Sequence, residues 1–383
     1  MTSARSAGEP VFEGQTRAWR AVENAVLGTS REIAEVDVSG PRAAQAAMTA
    51  LVVAITVGIA CAMHVPEVWW AALAGYMSTQ ATRPASLQKG LLRIVGTAAG
   101  AALSLALADW LVYDVVAACL ALFVVSTIGI LGVSVSSHGY AWLFFSITFS
   151  LVLLLSISDP AGAFNFAAYR TIEVTIGTSV AIVVAYALAP EAPPGGDPAP
   201  PGWTDLFGAQ WPILRHAMRA GIGVALIPLL WSHFYVAGLT PTAMMLSCII
   251  AIPVLSFHPL DPNGTMVENA MHRLLGCILG GIAALVLLAL PLTAFVPWLL
   301  ALAVGTWLFS FVQQSARGVG YVGTQAAIVF MVTLVQGNGP SAGILPGIDR
   351  FAGITIGLVT LLIVSLLLAP VSQGPALPPM RSR

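Results

Sequence analysis

Residues 93–100 read RIVGTAAG, and residues 273–280 read RLLGCILG. Each octet opens on an arginine at the edge of an apolar run and sets glycines three and seven residues on. Charged residues make up only 9% of the chain, so the echo is informative. Small residues four apart lie on one helix face and let a second helix approach closely inside a membrane. The echo also extends along the chain. Arg93 and Arg273, Gly96 and Gly276, and Gly100 and Gly280 are each 180 residues apart. The same offset relates Pro160 to Pro340, Arg170 to Arg350, TIG at 175–177 to TIG at 355–357, and LAP at 188–190 to LAP at 368–370. A slip of one residue aligns Gly139-Tyr140 with Gly320-Tyr321.

Composition sets the class in which this duplication is read. The chain has 383 residues, 57% of them hydrophobic, and a mean hydropathy of +0.87. A soluble domain carries about 25% charged residues. Apolar runs of about 20 residues, the length that crosses a ~30 Å hydrocarbon core, recur from Ala43 to Pro370. They lack the polar/apolar alternation of barrel strands. The fold class is an all-α integral membrane protein within the lipid bilayer.

Twelve candidate spans fall near 43–63, 67–82, 91–109, 112–132, 139–157, 170–189, 216–233, 239–256, 274–291, 297–313, 321–336 and 350–369. The expected organisation has five parts. Residues 1–42 are a cytoplasmic lead-in with an interfacial helix, and 43–190 a first six-helix unit. Residues 191–214 are a Pro/Gly-rich linker, 215–370 a second six-helix unit, and 371–383 a tail. The mixed-charge lead-in does not have the pattern of a secretory signal. An even number of spans makes both units enter from one side, as parallel repeats about an axis along the membrane normal. With both termini inside, only Arg170 and Arg350 of the sixteen Lys and Arg residues fall outside, as the positive-inside rule requires.

Several function classes drop out. No Lys/Arg cluster or base-stacking module points to nucleic acid. Cys61, Cys119, Cys248 and Cys277 stand singly, and the crowd of His258, Asp261, Glu268 and His272 fits no metal template, so neither metal nor cofactor is expected. No Walker loop, nucleophile elbow or zinc-protease helix appears, and the chain does not read as an enzyme.

Intramembrane ionisable residues are where function is sought. Arg170 and Arg350 occupy equivalent positions and form either a carboxylate station or two local ion pairs, Arg170–Glu173 and Asp349–Arg350. Glu173 lies one helical turn from Arg170, and its counterpart is Gly353. It carries a coupling proton or balances Arg170. Arg93 and Arg273, read as opening the third and ninth spans at headgroup level, contact either lipid phosphates or an anionic substrate. Tryptophans 69, 70, 142, 231, 298 and 307 are assigned mostly to interfacial belts.

The stretch VPEVWWAALAGYMSTQATRPASLQKGLLRIVGTAAGAALSLAL (65–107) resembles the signature region of the fusaric acid resistance and aromatic acid exporter superfamily. The matching positions are Pro66, Trp70, Ala71, Gln80, Pro84, Arg93, Gly96, Thr97 and Gly100. FHPLDPNGTMVENAMHRLLGCILG (257–280) matches more loosely. The resemblance implies a secondary transporter of a bacterial inner membrane, exporting small aromatic or heterocyclic carboxylic acids. Proton coupling, a homo-oligomer and a periplasmic adaptor belong to that expectation. A distant likeness to plant malate channels keeps a passive anion channel or an accessory efflux subunit as the alternative. Larger family members carry soluble cytoplasmic domains, whereas this chain has only short connectors. For an aromatic acid, Tyr140, Tyr321 and Gln325 are candidates to line the path beside the arginines.

Overall fold

Every regular element among the described residues is an α-helix. The computed structural model describes residues 9–191, 211–226, 228, 265–340, 343–348 and 350–352. The expected span at 239–256 and most of that at 350–369 lie outside them. In chain order the helices are α1 (Glu9–Ala34), α2 (Pro41–Ala62), α3 (Val68–Ser78), α4 (Arg83–Leu111), α5 (Val115–Val135) and α6 (Gly139–Ser158). They continue as α7 (Ala163–Leu188), α8 (Trp211–Ala225), α9 (Thr265–Ala289), α10 (Phe295–Gln313) and α11 (Gly320–Leu334). A helical segment at 345–348 and 350–352 follows. Seven of these, α2, α4, α5, α6, α7, α9 and α10, are long and apolar enough to cross a membrane.

Local signals set the helix starts. Pro41 and Pro84 occupy the first turns of α2 and α4, where a missing N–H costs nothing. Asp114 caps α5, its carboxylate accepting from the backbone N–H groups of Val116 and Ala117. Helix α4 begins at Arg83, ten residues before Arg93, and Arg93 is buried in the bundle at 1% exposure, so it does not meet lipid phosphates as one expectation had it. Arg273 is likewise interior to α9 and buried.

Three elements form the centre. Nearly every residue of α3 is buried, as are almost all of α11 and most of α6. Their side chains share one core that includes Trp69, Trp70, Phe149, Phe330 and Leu334. Around it, α4, α5, α9 and α10 turn outward aliphatic faces such as Val95, Leu120, Val286 and Val304, as helices in contact with lipid do.

The glycines of the two octets make the closest helix contacts. A Cβ on Gly96 or Gly100 would run into the carbonyl oxygens of Ala141 and Phe145 on α6. One on Gly276 or Gly280 would meet those of Val322 and Ala326 on α11. The contact thus recurs 180 residues on for the glycines and 181 for the carbonyls, the same slip that aligns the two Gly-Tyr pairs.

Contacts between the two halves are reciprocal. Helix α2 packs on α10, and α8 packs on α5. The Trp307 indole donates to the Ala43 carbonyl at 3.2 Å, and Gly221 of α8 lies against Thr127 and Phe123 of α5. Near the middle, α3 meets α11, and the Tyr76 hydroxyl donates to Gln313 Oε1 at 2.7 Å.

Helix α1 lies against α9 and α10 and is pinned at its C-terminal end. Glu32, buried although charged, accepts from Arg42 at 2.6 Å and from the Ser315 hydroxyl at 2.7 Å. Arg317 bonds Glu35, and Arg42 also donates to the Phe311 carbonyl at 3.1 Å. Burial by itself raises the Glu32 carboxyl. The bonds from Ser315 and Arg42, with the charges of Arg42 and Arg317, outweigh it and hold the group below its ordinary value of 4.5.

Gly100→Ala and Gly280→Ala should each lower the melting temperature in detergent, at a cost of about 1–3 kcal/mol from overpacking. Gly58→Ala, with nothing within 4 Å of its added carbon, is the control and should not lower it. Equal melting of all three would remove the glycine contacts as a source of stability. Because the Glu32 pKa is depressed on folding, its contribution is complete above the ordinary carboxylate value and fades as pH falls through the folded one. Amide protection factors over residues 22–34 should therefore fall between about pH 5 and pH 3 in the wild type and much less in Glu32→Gln. Protection factors unchanged over that range would mean that these bonds do not hold α1.

Candidate anion-binding site

Arg170 lies two turns into α7 with 1% of its surface exposed. Its guanidinium carbon sits 3.3 Å from the ring centroid of Trp70 on α3. None of its three nitrogens has a hydrogen-bond partner among the described residues. A guanidinium directs all five N–H donors outward in its own plane, so stacking on an indole leaves every donor free.

Arg93 repeats the arrangement on α4. Its guanidinium lies 4.0 Å over the ring of Phe144, and one terminal nitrogen donates to the Tyr140 hydroxyl at 3.0 Å. Its Nε is buried and unpartnered. The Arg93 and Arg170 charges are near enough to repel each other. Lys89, half-buried one turn before Arg93, rests 5.1 Å from the centroid of the Tyr140 ring. Two further buried donors lack partners here: the Trp70 indole N–H and the hydroxyl of Thr97, one turn past Arg93.

The expected Arg170–Glu173 salt bridge is not formed. Glu173, 2% exposed, accepts from the backbone N–H of Glu67 at 2.9 Å. The reason is steric: the Arg170 fork lies flat on Trp70, so it is not turned toward the carboxylate. Glu173 still interacts electrostatically with Arg170.

Arg350 has a different environment from its counterpart. One of its terminal nitrogens donates to the carbonyls of Val332 at 3.0 Å and Val335 at 2.7 Å, at the C-terminal end of α11. The other reaches Glu67 Oε2 at 3.1 Å. Its carbon is 5.4 Å from the Trp69 ring, and Trp69 stacks on Trp70 with centroids 3.9 Å apart. Arg170 and Arg350 therefore meet one stacked indole pair, one with its donors free and the other with them engaged. Asp349, the expected partner of Arg350, lies outside the described residues.

The remaining candidates fall on the second half. Arg273 approaches Tyr321, mirroring Arg93 and Tyr140. Gln325 is buried where α11 faces Gly276. Several roles were not legible in the sequence. Nothing in the sequence singles out Glu67, and Trp69 and Trp70 read as interfacial, yet both indoles are buried in the core. Trp298 is buried as well. The signal that pointed correctly was the place of Trp70 within the family signature. Among the described residues no cluster of His, Cys, Asp and Glu could hold a metal.

Residues 53–184 match the family model described as fusaric acid resistance protein-like. No curated protein and no solved structure gives a significant match. The matched stretch runs from within α2 to the last turns of α7 and holds Trp70, Arg93, Tyr140, Arg170 and Glu173. Over this stretch, about a third of its length, the chain, a multi-pass membrane protein, is similar to the fusaric acid resistance protein-like family.

Proposed function

We propose that this chain is a secondary transporter that exports small aromatic or heterocyclic carboxylic acids across a bacterial inner membrane. The observation that carries the reading is Arg170, a fully buried cation stacked on an indole with no acid bonded to it among the described residues. A buried charge is normally paired, and one kept unpaired in a membrane bundle marks a site where an anion passes. The fusaric acid resistance protein-like match over the same helices supports an acid with a ring as cargo.

The proposed architecture is twelve spans in two parallel six-helix units, with both termini cytoplasmic. It is supported by the recurrence of the α4–α6 contact between α9 and α11, and by the reciprocal packing of α2 on α10 and α8 on α5. Such reciprocity is what a twofold axis generates. Glu173, one buried acid beside an excess of buried positive charge, is the proposed carrier of the coupling proton. A homo-oligomer and a periplasmic adaptor remain part of the proposal, and catalysis does not.

Cells expressing the protein should hold less labelled benzoate or picolinate than cells without it, and a protonophore should abolish the difference. Glu173→Gln should lose uphill export while still binding the acid. A mutant that kept wild-type accumulation ratios at every pH would remove Glu173 as the coupling residue. Currents reversing at the anion's equilibrium potential, insensitive to the protonophore, would favour a passive channel instead.

A further inference from the structure

Three of the four repeat-related arginines, Arg93, Arg170 and Arg350, are divided by their hydrogen bonds. Arg350 has three acceptors, the Glu67 carboxylate and the Val332 and Val335 carbonyls. Its charge is balanced, and it joins α11 in the second half to the start of α3 in the first. Arg170 and Arg93 are more deeply buried and have almost no acceptors among the described residues: between them they make one hydrogen bond there, to the neutral Tyr140 hydroxyl.

Resting on the anion-transport reading, we infer that the ligand carboxylate is taken by Arg170 and Arg93 of the first half alone, and that Arg350 is a strut that takes no ligand. An aromatic ring covers one face of each guanidinium and leaves the edges with their donors, in the plane where a carboxylate binds in bidentate fashion. The Trp70 indole N–H adds a further donor. Charge sets the valence. Among the described residues of this first-half site, two buried arginines stand against one buried acid, Glu173, and half-buried Lys89 is partly screened, so one negative charge restores balance. The ligand class is a small planar monocarboxylate. The second half keeps the fold of the unit without an equivalent binding station at Arg350.

The test uses the full chain in phosphatidylcholine nanodiscs, which supply no anionic headgroup, with calorimetry of benzoate and of its neutral isostere benzamide. Benzoate should bind and benzamide should not. Arg170→Gln and Arg93→Gln should each weaken benzoate by about tenfold or more, the loss of a charge-assisted bond. Arg350→Gln should stay within about threefold of wild type, a change too small for a lost ionic contact, while melting earlier. Wild-type affinity in both first-half variants, or a loss in Arg350→Gln as large as in Arg170→Gln, would overturn the assignment. So would wild-type protein that binds neither probe or both alike. If the arginine variants do not fold, 4-iodobenzoate bound to the wild type gives the answer by its iodine in an experimental map. Its carboxylate should lie against Arg170 and Arg93, and a seat at Arg350 would overturn the inference. Benzoate binding without uphill export would leave the site standing and remove the transport reading. Export that survives Arg170→Gln and Arg93→Gln would do the reverse.

Discussion

Backbone meets backbone where α4 crosses α6, and most of the arrangement follows from that approach. In lipid no hydrophobic difference drives one apolar helix onto another, so contact area and close packing decide which helices pair. Glycines at 96 and 100 remove the side chains that would keep the helices apart. Helix α6 is thereby held in the interior, and Phe144 and Tyr140 come within reach of Arg93. The α9–α11 pair does the same with Gly276 and Gly280, which places α11 in the core opposite. Gly177 of the first TIG lies against the Ala71 carbonyl and holds α7 to α3, and with it Arg170 to Trp70.

Burial of cations sets a second constraint. A guanidinium loses most of its hydration inside such a bundle and needs either acceptors or polarisable faces in exchange. The two halves answer differently at equivalent positions. Arg350 is met by oxygen atoms, Arg170 by an indole. An aromatic face attracts the charge without consuming its hydrogen-bonding edge, so the cation stays buried yet able to bind. Glu67 links the two answers, since its backbone N–H holds Glu173 and its carboxylate holds Arg350.

Much of this was legible in residue order, for physical reasons. Twenty-residue apolar runs, proline at helix starts and glycine pairs act locally, so the spans from α2 to α7 and their seams could be read directly. The first six expected spans each correspond to a helix, with α3 shorter than its candidate run. The rest depends on which side chains from distant segments converge. Arg170 and Glu173 sit one turn apart, which suggested a pair, but no local rule says that Trp70, a hundred residues away, covers the guanidinium. A lipid-phosphate contact was one reading of Arg93 for a related reason: no local rule shows that Tyr140 and Phe144 of α6 cover it. The Arg350–Glu67 contact spans most of the chain and leaves no periodic trace.

The brevity of α3 carries one more consequence. Its eleven residues rise only about 16 Å, half the hydrocarbon thickness. A helix that short cannot cover the hydrocarbon alone, so the non-helical backbone at Glu67 and at Thr79 needs protein or water, not lipid, wherever it lies within the hydrocarbon.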